Sequence, residues 1–474
     1  MMSLTIEYDD TMVQGKPASG VLPRSLALWA AAIYVALFII RPWEKLFPSL
    51  APLHFERICA LVMIGIVMMT RGFRIRGDSQ TIAVMLFFLA VGMSWAGAWN
   101  PDLGGQSFYV YFTLVVFYFV LVSVITSPYE LLFMVTAYVV TMAVYLAKAQ
   151  WEYFVHGGGL YDMGVYRLAG IESTLGGPNS VAMSTAASLP MLWFLWRVRN
   201  EFTREWPRRW QRWFRRGLVA YAVLAATSIL LTRSRSGMLC GILFVLLAAL
   251  QGAGFLRKLK YLLMGGVLLI VIWFLMPEKM QNRFRTIWDP EAGPANAQAS
   301  AEGRIAGFWA GIEMFRRFPV LGVGIGNFVE YRARFVDGVP LQSHNLFGQV
   351  LGEMGLLGAL AFLLMIGTTL ANSSRIRRAA RGSTSGTLHV LSELAVASRS
   401  AVLILLFDGL FGHNLYRFNW LWLAAFNVLA LQYAVAAIAM DSQYLAAAGD
   451  AAVLDDGSGS RELPAGDWQW QTPP

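Results

Sequence analysis

Charge is what this chain most lacks. Asp, Glu, Lys and Arg make up 14% of its 474 residues, where a soluble globular domain carries roughly 25%. That deficit excludes a soluble globular protein. Cysteine is nearly absent: Cys59 and Cys240 both fall in apolar runs and read as structural thiols. The five histidines are scattered, and no DxD or HxxxH pattern stands at a helix mouth, so the sequence offers no metal constellation. The first residues, MMSLTIEYDDTM, are acidic and lack the basic stretch of a signal peptide. The GVGIG run at 322–326 has no strand–helix–strand context and is not a dinucleotide fingerprint.

What is present is apolar. The chain is 57% hydrophobic with a mean hydropathy of +0.51. Apolar runs of about 16 to 25 residues recur along it, the length that crosses a bilayer as helix. They predict an all-α polytopic membrane protein with about twelve transmembrane helices. Basic residues gather in the short loops at 71–76, 197–216, 257–260 and 375–381. With the N-terminus inside, all four loops fall on the cytoplasmic side. The net charge of +9 is therefore a topology signal, not a nucleic-acid footprint.

The expected organisation follows. Residues 1–24 form a cytoplasmic tail, 25–276 carry transmembrane helices 1–9, and 277–345 form a large outside loop with amphipathic helices. Residues 346–440 carry helices 10–12, and 441–474, rich in Ala, Gly, Asp and Ser, form a disordered cytoplasmic tail. In a Gram-negative cell the outside is the periplasm. Within the loop, Ser300 suits an N-cap, and Ile305, Phe308, Trp309, Ile312 and Phe315 form an apolar stripe at helical spacing. Arg304 lies on a neighbouring strip with Gly307 and Gly311, glycines that would let another group approach the arginine. Pro319 stops this helix, and the glycines at 322, 324 and 326 read as turns.

One short loop breaks the charge rule. TRSRSG places Arg233 and Arg235 on the outer side between two apolar runs. Arginine beside hydrocarbon is costly and usually faces a cavity or a ligand, although a snorkelling pair at a helix end is the competing explanation. Arg233, Arg235 and Arg304 then share one face with His344. Guanidinium groups without a metal suit an organic phosphate or diphosphate, which arginine grips with two parallel hydrogen bonds. His344 is the candidate base. It precedes a helix whose N-cap is Asn345, and the positive helix end disfavours imidazolium. The competing role is a histidine that pins loop to helix. Glu353 and Asp408 are ionisable groups inside membrane runs, placed either to orient these residues or to make internal charge pairs. His413-Asn414 closes the Asp408 helix on the outer side.

These residues resemble the superfamily of O-antigen ligases and Wzy-type polysaccharide polymerases, bacterial membrane glycosyltransferases. The resemblance rests on TRSRSG at 232–237, EGR followed by FPVLGVGIGNF at 302–328, and SHNLFGQVLGEMGLLG at 343–358. RLAG followed by GGPNSVAM, with Arg167 and Asn179, is similar to the family's outer loop before a helix. The resemblance implies a donor glycan on undecaprenyl diphosphate and a glycan or lipid A–core acceptor. It implies transfer without metal or cofactor at the periplasmic face of the inner membrane. It also implies diphosphate binding by Arg233, Arg235 and Arg304, and activation of the acceptor by His344. The same family has been read as anion transporters of the bicarbonate type, which is the second reading. The absence of an internal repeat and the gathering of charges at outer helix ends favour the enzyme.

Overall fold

A computed structural model describes residues 22–45, 47, 49, 53–75, 77–162, 165–170, 173–251, 254–276, 278–286, 289 and 295–454. The chain is almost wholly helical. The first part runs α1 (Leu26–Ile40), α2 (Pro42–Lys45), α3 (Phe55–Thr70), α4 (Ser79–Ala96), α5 (Pro101–Val124) and α6 (Pro128–Val155). A two-stranded antiparallel hairpin, β1 (Leu160–Asp162) and β2 (Val165–Arg167), follows, with Leu160 opposite Arg167. Next come α7 (Pro178–Arg197), α8 (Arg199–Phe202), α9 (Arg208–Leu231), α10 (Arg235–Leu250) and α11 (Phe255–Leu275). The large loop holds α12 (Glu278–Arg285), α13 (Ala295–Arg317) and α14 (Phe328–Phe335). The chain ends in α15 (Leu346–Ala379), α16 (Gly386–Asp408) and α17 (Asn419–Leu454).

Polar residues between the apolar runs set the helix starts. Asp78, Ser127 and Ser385 each accept a backbone N–H two or three residues into the helix that follows. Pro101 and Pro128 occupy the first helical turn, where the missing N–H costs nothing.

Among the described residues, eight helices are long and apolar enough to cross a membrane. The sequence predicts about twelve crossings, and each predicted run lies on a helix. Two of the others are short: α3 and α10 have 16 residues each. A third, α7, is long enough but rich in Ser, Thr and Pro, and nearly all of it is buried. A helix enclosed by other helices need not be apolar, so hydropathy alone underrates it.

The helices have two distinct ends. At one end Arg71 donates to Thr126 Oγ1 (2.7 Å) and pairs with Glu130 (3.2 Å), and Arg197 pairs with Glu393 (2.9 Å). The α4–α5 turn lies at the other end. There Trp99 N donates to Val323 O (2.9 Å) and Asn100 N to Asn327 Oδ1 (3.1 Å), which seats the glycine turn.

α13 runs parallel to the first part of α15. A Cβ at Gly307 would lie 2.1 Å from Ser343 O, and one at Gly311 would lie 2.2 Å from Gly348 O. These glycines do admit a close approach, and the group that approaches is the backbone at the mouth and first turn of α15. The buried face of α13 is Gly307, Ala310, Gly311 and Met314, while Ile305 and Trp309 are exposed. The predicted apolar stripe is not the packed one, because backbone contact selects small residues. Ser300 lies inside α13, which starts at Ala295, and does not cap it. After α13, Gly322, Gly324 and Gly326 all adopt positive φ, as the turn prediction requires.

α15 kinks at Gly355, whose φ is 61°. The amides freed there are taken up: Leu356 N donates to Pro319 O (2.8 Å) and Leu357 N to Val320 O (3.1 Å). The GEMGLLG motif is thus where the large loop plugs into α15. At the far end, α17 continues as helix to Leu454. The predicted disordered tail is helical over that stretch, because its run of alanines favours helix. Residues 455–474, and 1–21 of the N-terminal tail, lie outside the described residues.

Candidate active site

Three crossings meet at the end of the bundle that carries the glycine turn. The first is β2 against the α9–α10 turn. Leu168 N donates to Leu231 O (2.9 Å). Arg167, buried, donates from Nε to Thr232 O (2.9 Å) and from its terminal nitrogen to Asn179 Oδ1 (2.7 Å). Arg167 and Asn179 therefore tie the hairpin to the mouth of α7, and Arg167 brings its charge with it.

The second is the start of α10. Ser234 caps it by accepting Gly237 N (3.2 Å), and a Cβ at Gly237 would lie 2.4 Å from Ala182 Cβ. The small residues after Arg235 let α10 sit on α7. Arg235 is half-buried and donates to Thr286 Oγ1 (2.9 Å). Arg233 occupies the turn itself, half-buried, with φ 50°.

The third is the mouth of α15. Asn345 is its N-cap and accepts the amides of Phe347 and Gly348 (3.0 Å each). Ser343 Oγ donates to Asn345 O (2.9 Å), and Leu346 N donates to Gly409 O (2.6 Å). His344 sits between, half-buried, in the left-handed conformation at φ 48°. Its ring lies edge-on to His413, with centroids 5.0 Å apart.

Electrostatics join these crossings into one site. Burial pulls the Arg304 pKa down, helped by Arg235 and Arg167 and opposed by Asp408. Burial also lowers the His344 pKa below 6.5, as do the cations of Arg304 and Arg332. Arg304 is therefore the common neighbour of Arg167, Arg235, Asp408 and His344. Asp408 sits at the end of α16, buried, within reach of Asn414 Nδ2 (3.5 Å). An arginine group of this kind repels itself when empty and is relieved by an anion.

Glu353 is elsewhere. It is buried on α15 and its carboxylate takes hydrogen bonds from Tyr416 and from Gln349 Nε2 (3.3 Å), while its backbone carbonyl accepts Gly324 N (3.0 Å). It anchors the glycine turn and orients neither the arginines nor the histidine. A carboxylate two turns below His344 faces the loop because the kink at Gly355 docks the loop there.

Two arginines escaped the sequence reading. Arg332 on α14 is only 2% exposed; it pairs with Asp337 (2.7 Å) and donates to the carbonyls of Leu341 (3.4 Å) and Gln342 (3.5 Å). It holds the strand of chain that leads to His344. Arg417 donates to Thr174 O (2.7 Å) and to Ser180 Oγ, joining the α16–α17 loop to α7. Nothing in their spacing marks them: Arg332 acts through backbone carbonyls of an irregular loop, and Arg417 acts across a long sequence separation. Among the described residues, no group of three or more His, Cys, Asp or Glu is placed to hold a metal ion.

Comparison with known proteins adds one finding. No curated protein matches the chain. Residues 220–363 match the family model Wzy_C, O-Antigen ligase. The matched stretch contains Arg233, Arg235, Arg304, His344 and Glu353, and leaves out Arg167, Asn179 and Asp408. A membrane enzyme that transfers glycans is the class this supports, and the match at residues 220–363 makes that part of the chain similar to the O-antigen ligases of the Wzy-type superfamily.

Proposed function

We propose that this protein transfers a glycan from undecaprenyl diphosphate to a sugar hydroxyl of a glycan or lipid A–core acceptor, at the periplasmic face of the inner membrane. The observation that carries the reading is Arg304 beside His344, with Arg235 and Arg167 around it. The acceptor oxygen attacks the anomeric carbon of the donor while His344 takes the hydroxyl proton. The bond from that carbon to the diphosphate oxygen breaks, and its electron pair leaves with undecaprenyl diphosphate. Arg235 and Arg304, with Arg233 in the same turn, meet the charge that develops there. A neutral imidazole suits this step, because only the unprotonated ring can accept a proton.

The bicarbonate-type transporter reading uses the same cations as an anion site. The O-antigen ligase domain does not favour it. Reconstitution in liposomes separates the two. Supplied with a lipid-diphosphate glycan and an acceptor, the protein should release one undecaprenyl diphosphate per linkage formed, in the presence of EDTA. A single addition marks a ligase, and a ladder marks a polymerase. Bicarbonate flux without transfer would sink the enzyme reading.

The orientation is tested separately. If the end holding the site faces the periplasm, Arg334→Cys on exposed α14, in a Cys59→Ser background, should react with a membrane-impermeant maleimide in intact cells. Labelling only after permeabilisation would reverse the topology.

A further inference from the structure

His413 is left unused by the mechanism above. It belongs to the turn between α16 and α17, where Asn414 and Leu415 are buried and His413 is exposed. The turn is fixed from both sides: Asn414 Nδ2 donates to Leu405 O (2.9 Å), and Trp420 Nε1 donates to Asn414 O (2.9 Å). The same turn is bonded to the mouth of α15, through Leu346 N to Gly409 O (2.6 Å) and Asn345 Nδ2 to Leu410 O (3.1 Å). The distance between His344 and His413 is therefore set by backbone and cap contacts, not by the rings.

The rings stand at 61° with centroids 5.0 Å apart. Among the described residues, neither ring makes a hydrogen bond to protein. Each therefore keeps both nitrogens for a ligand. Burial, His344 and Arg417 push the His413 pKa down to about 4, so this ring is also neutral. Its side chain is nonetheless open to solvent. A neutral imidazole offers one donor and one acceptor. A sugar hydroxyl needs both. Two such rings side by side match two hydroxyls on neighbouring carbons.

We propose that His413 contacts the acceptor and holds the hydroxyl adjacent to the one that His344 deprotonates. The inference rests on the glycosyltransferase reading and adds that the acceptor presents a pair of adjacent hydroxyls at the point of attachment.

The test uses full-length protein in nanodiscs. The donor is the lipid-diphosphate glycan that accumulates in a host strain lacking this chain, and the acceptor is that strain's surface glycolipid. Undecaprenyl diphosphate serves as the binding probe. His413→Phe keeps a flat ring against His344 but has no hydrogen-bonding atom. It should raise the acceptor KM about 10-fold, the scale of one lost hydrogen bond that leaves its partner unpaired. Affinity for undecaprenyl diphosphate should hold, and His413→Asn should recover part of the KM. His344→Asn should instead lower kcat. If acceptor KM is unchanged in both His413 variants, the ring is a packing contact and the proposal is overturned. It is equally overturned if kcat falls at constant KM, or if undecaprenyl diphosphate affinity falls in step. Should the Phe variant fail to fold, the Asn variant decides. Wild-type protein that transfers nothing would overturn the glycosyltransferase reading itself, and this assignment with it.

Discussion

Replacing His344 with Asn should cut transfer by about 10²- to 10⁴-fold, the range that positioned base catalysis contributes, while donor binding and Tm hold. The choice of Asn follows from the backbone. His344 is left-handed at φ 48°, a conformation that Asn tolerates and that costs most other residues about 1–2 kcal/mol. Ala or Gln there would mix lost chemistry with added strain. Asn keeps a hydrogen-bonding side chain but cannot take a proton at neutral pH. If His344 merely pins the loop to α15, Asn should retain near-normal turnover. A pinning role is already filled by Ser343 and Asn345, which bond the α15 mouth to itself and to Leu410. That leaves the imidazole free for chemistry.

The pH profile gives a second readout. Burial, Arg304 and Arg332 lower the His344 pKa from its ordinary 6.5. The base is competent above its depressed pKa and is lost as pH falls through it. Transfer should therefore stay level from neutral pH to below 6.5 and fall only on the acid side. An acid limb centred above 6.5 would contradict the environment described for His344 and point to another base.

How much of this was legible in the sequence depends on the range of the interaction. Helices, caps and turns are local, and Asn345, Pro319 and the glycine turn appear where residue chemistry puts them. The arginine group was half legible. Charge in the wrong loop singled out Arg235, and the α13 strip singled out Arg304. Arg332 acts through backbone carbonyls of the loop that follows it and Arg417 on residues far away in the chain, and no spacing encodes either. Glu353 shows the opposite error. A buried carboxylate draws attention as a functional group, yet Tyr416 and Gln349 claim it. The glycines of α13 were recognised as points of close approach, but periodicity cannot say whether a ligand or a helix approaches. The mate of Gly307 is Ser343 and that of Gly311 is Gly348, both reached through a loop whose path the sequence does not specify.

Arg304→Ala should weaken undecaprenyl diphosphate binding roughly 10- to 100-fold, the scale of hydrogen bonds to a charged group. The same substitution should shift the acid limb of the residual activity upward. Arg304 is among the cations that lower the His344 pKa, so removing it lets that pKa rise toward 6.5. Arg304→Lys separates the two effects. It keeps the positive charge, so the acid limb should stay where it is in wild type. It loses the planar fork that grips two phosphate oxygens, so binding should still fall. Stability runs the other way. Arg304 lies among Arg235 and Arg167, with Asp408 the opposing charge, so the empty site is self-repelling. Neutralising Arg304 should not lower Tm, as expected of a residue placed for a ligand and not for the fold. Undecaprenyl diphosphate affinity unchanged in both variants would remove Arg304 from the donor site. A lowered Tm with unchanged affinity would make it a structural arginine, and the diphosphate would then have to be met by Arg235 and its neighbours in the α9–α10 turn.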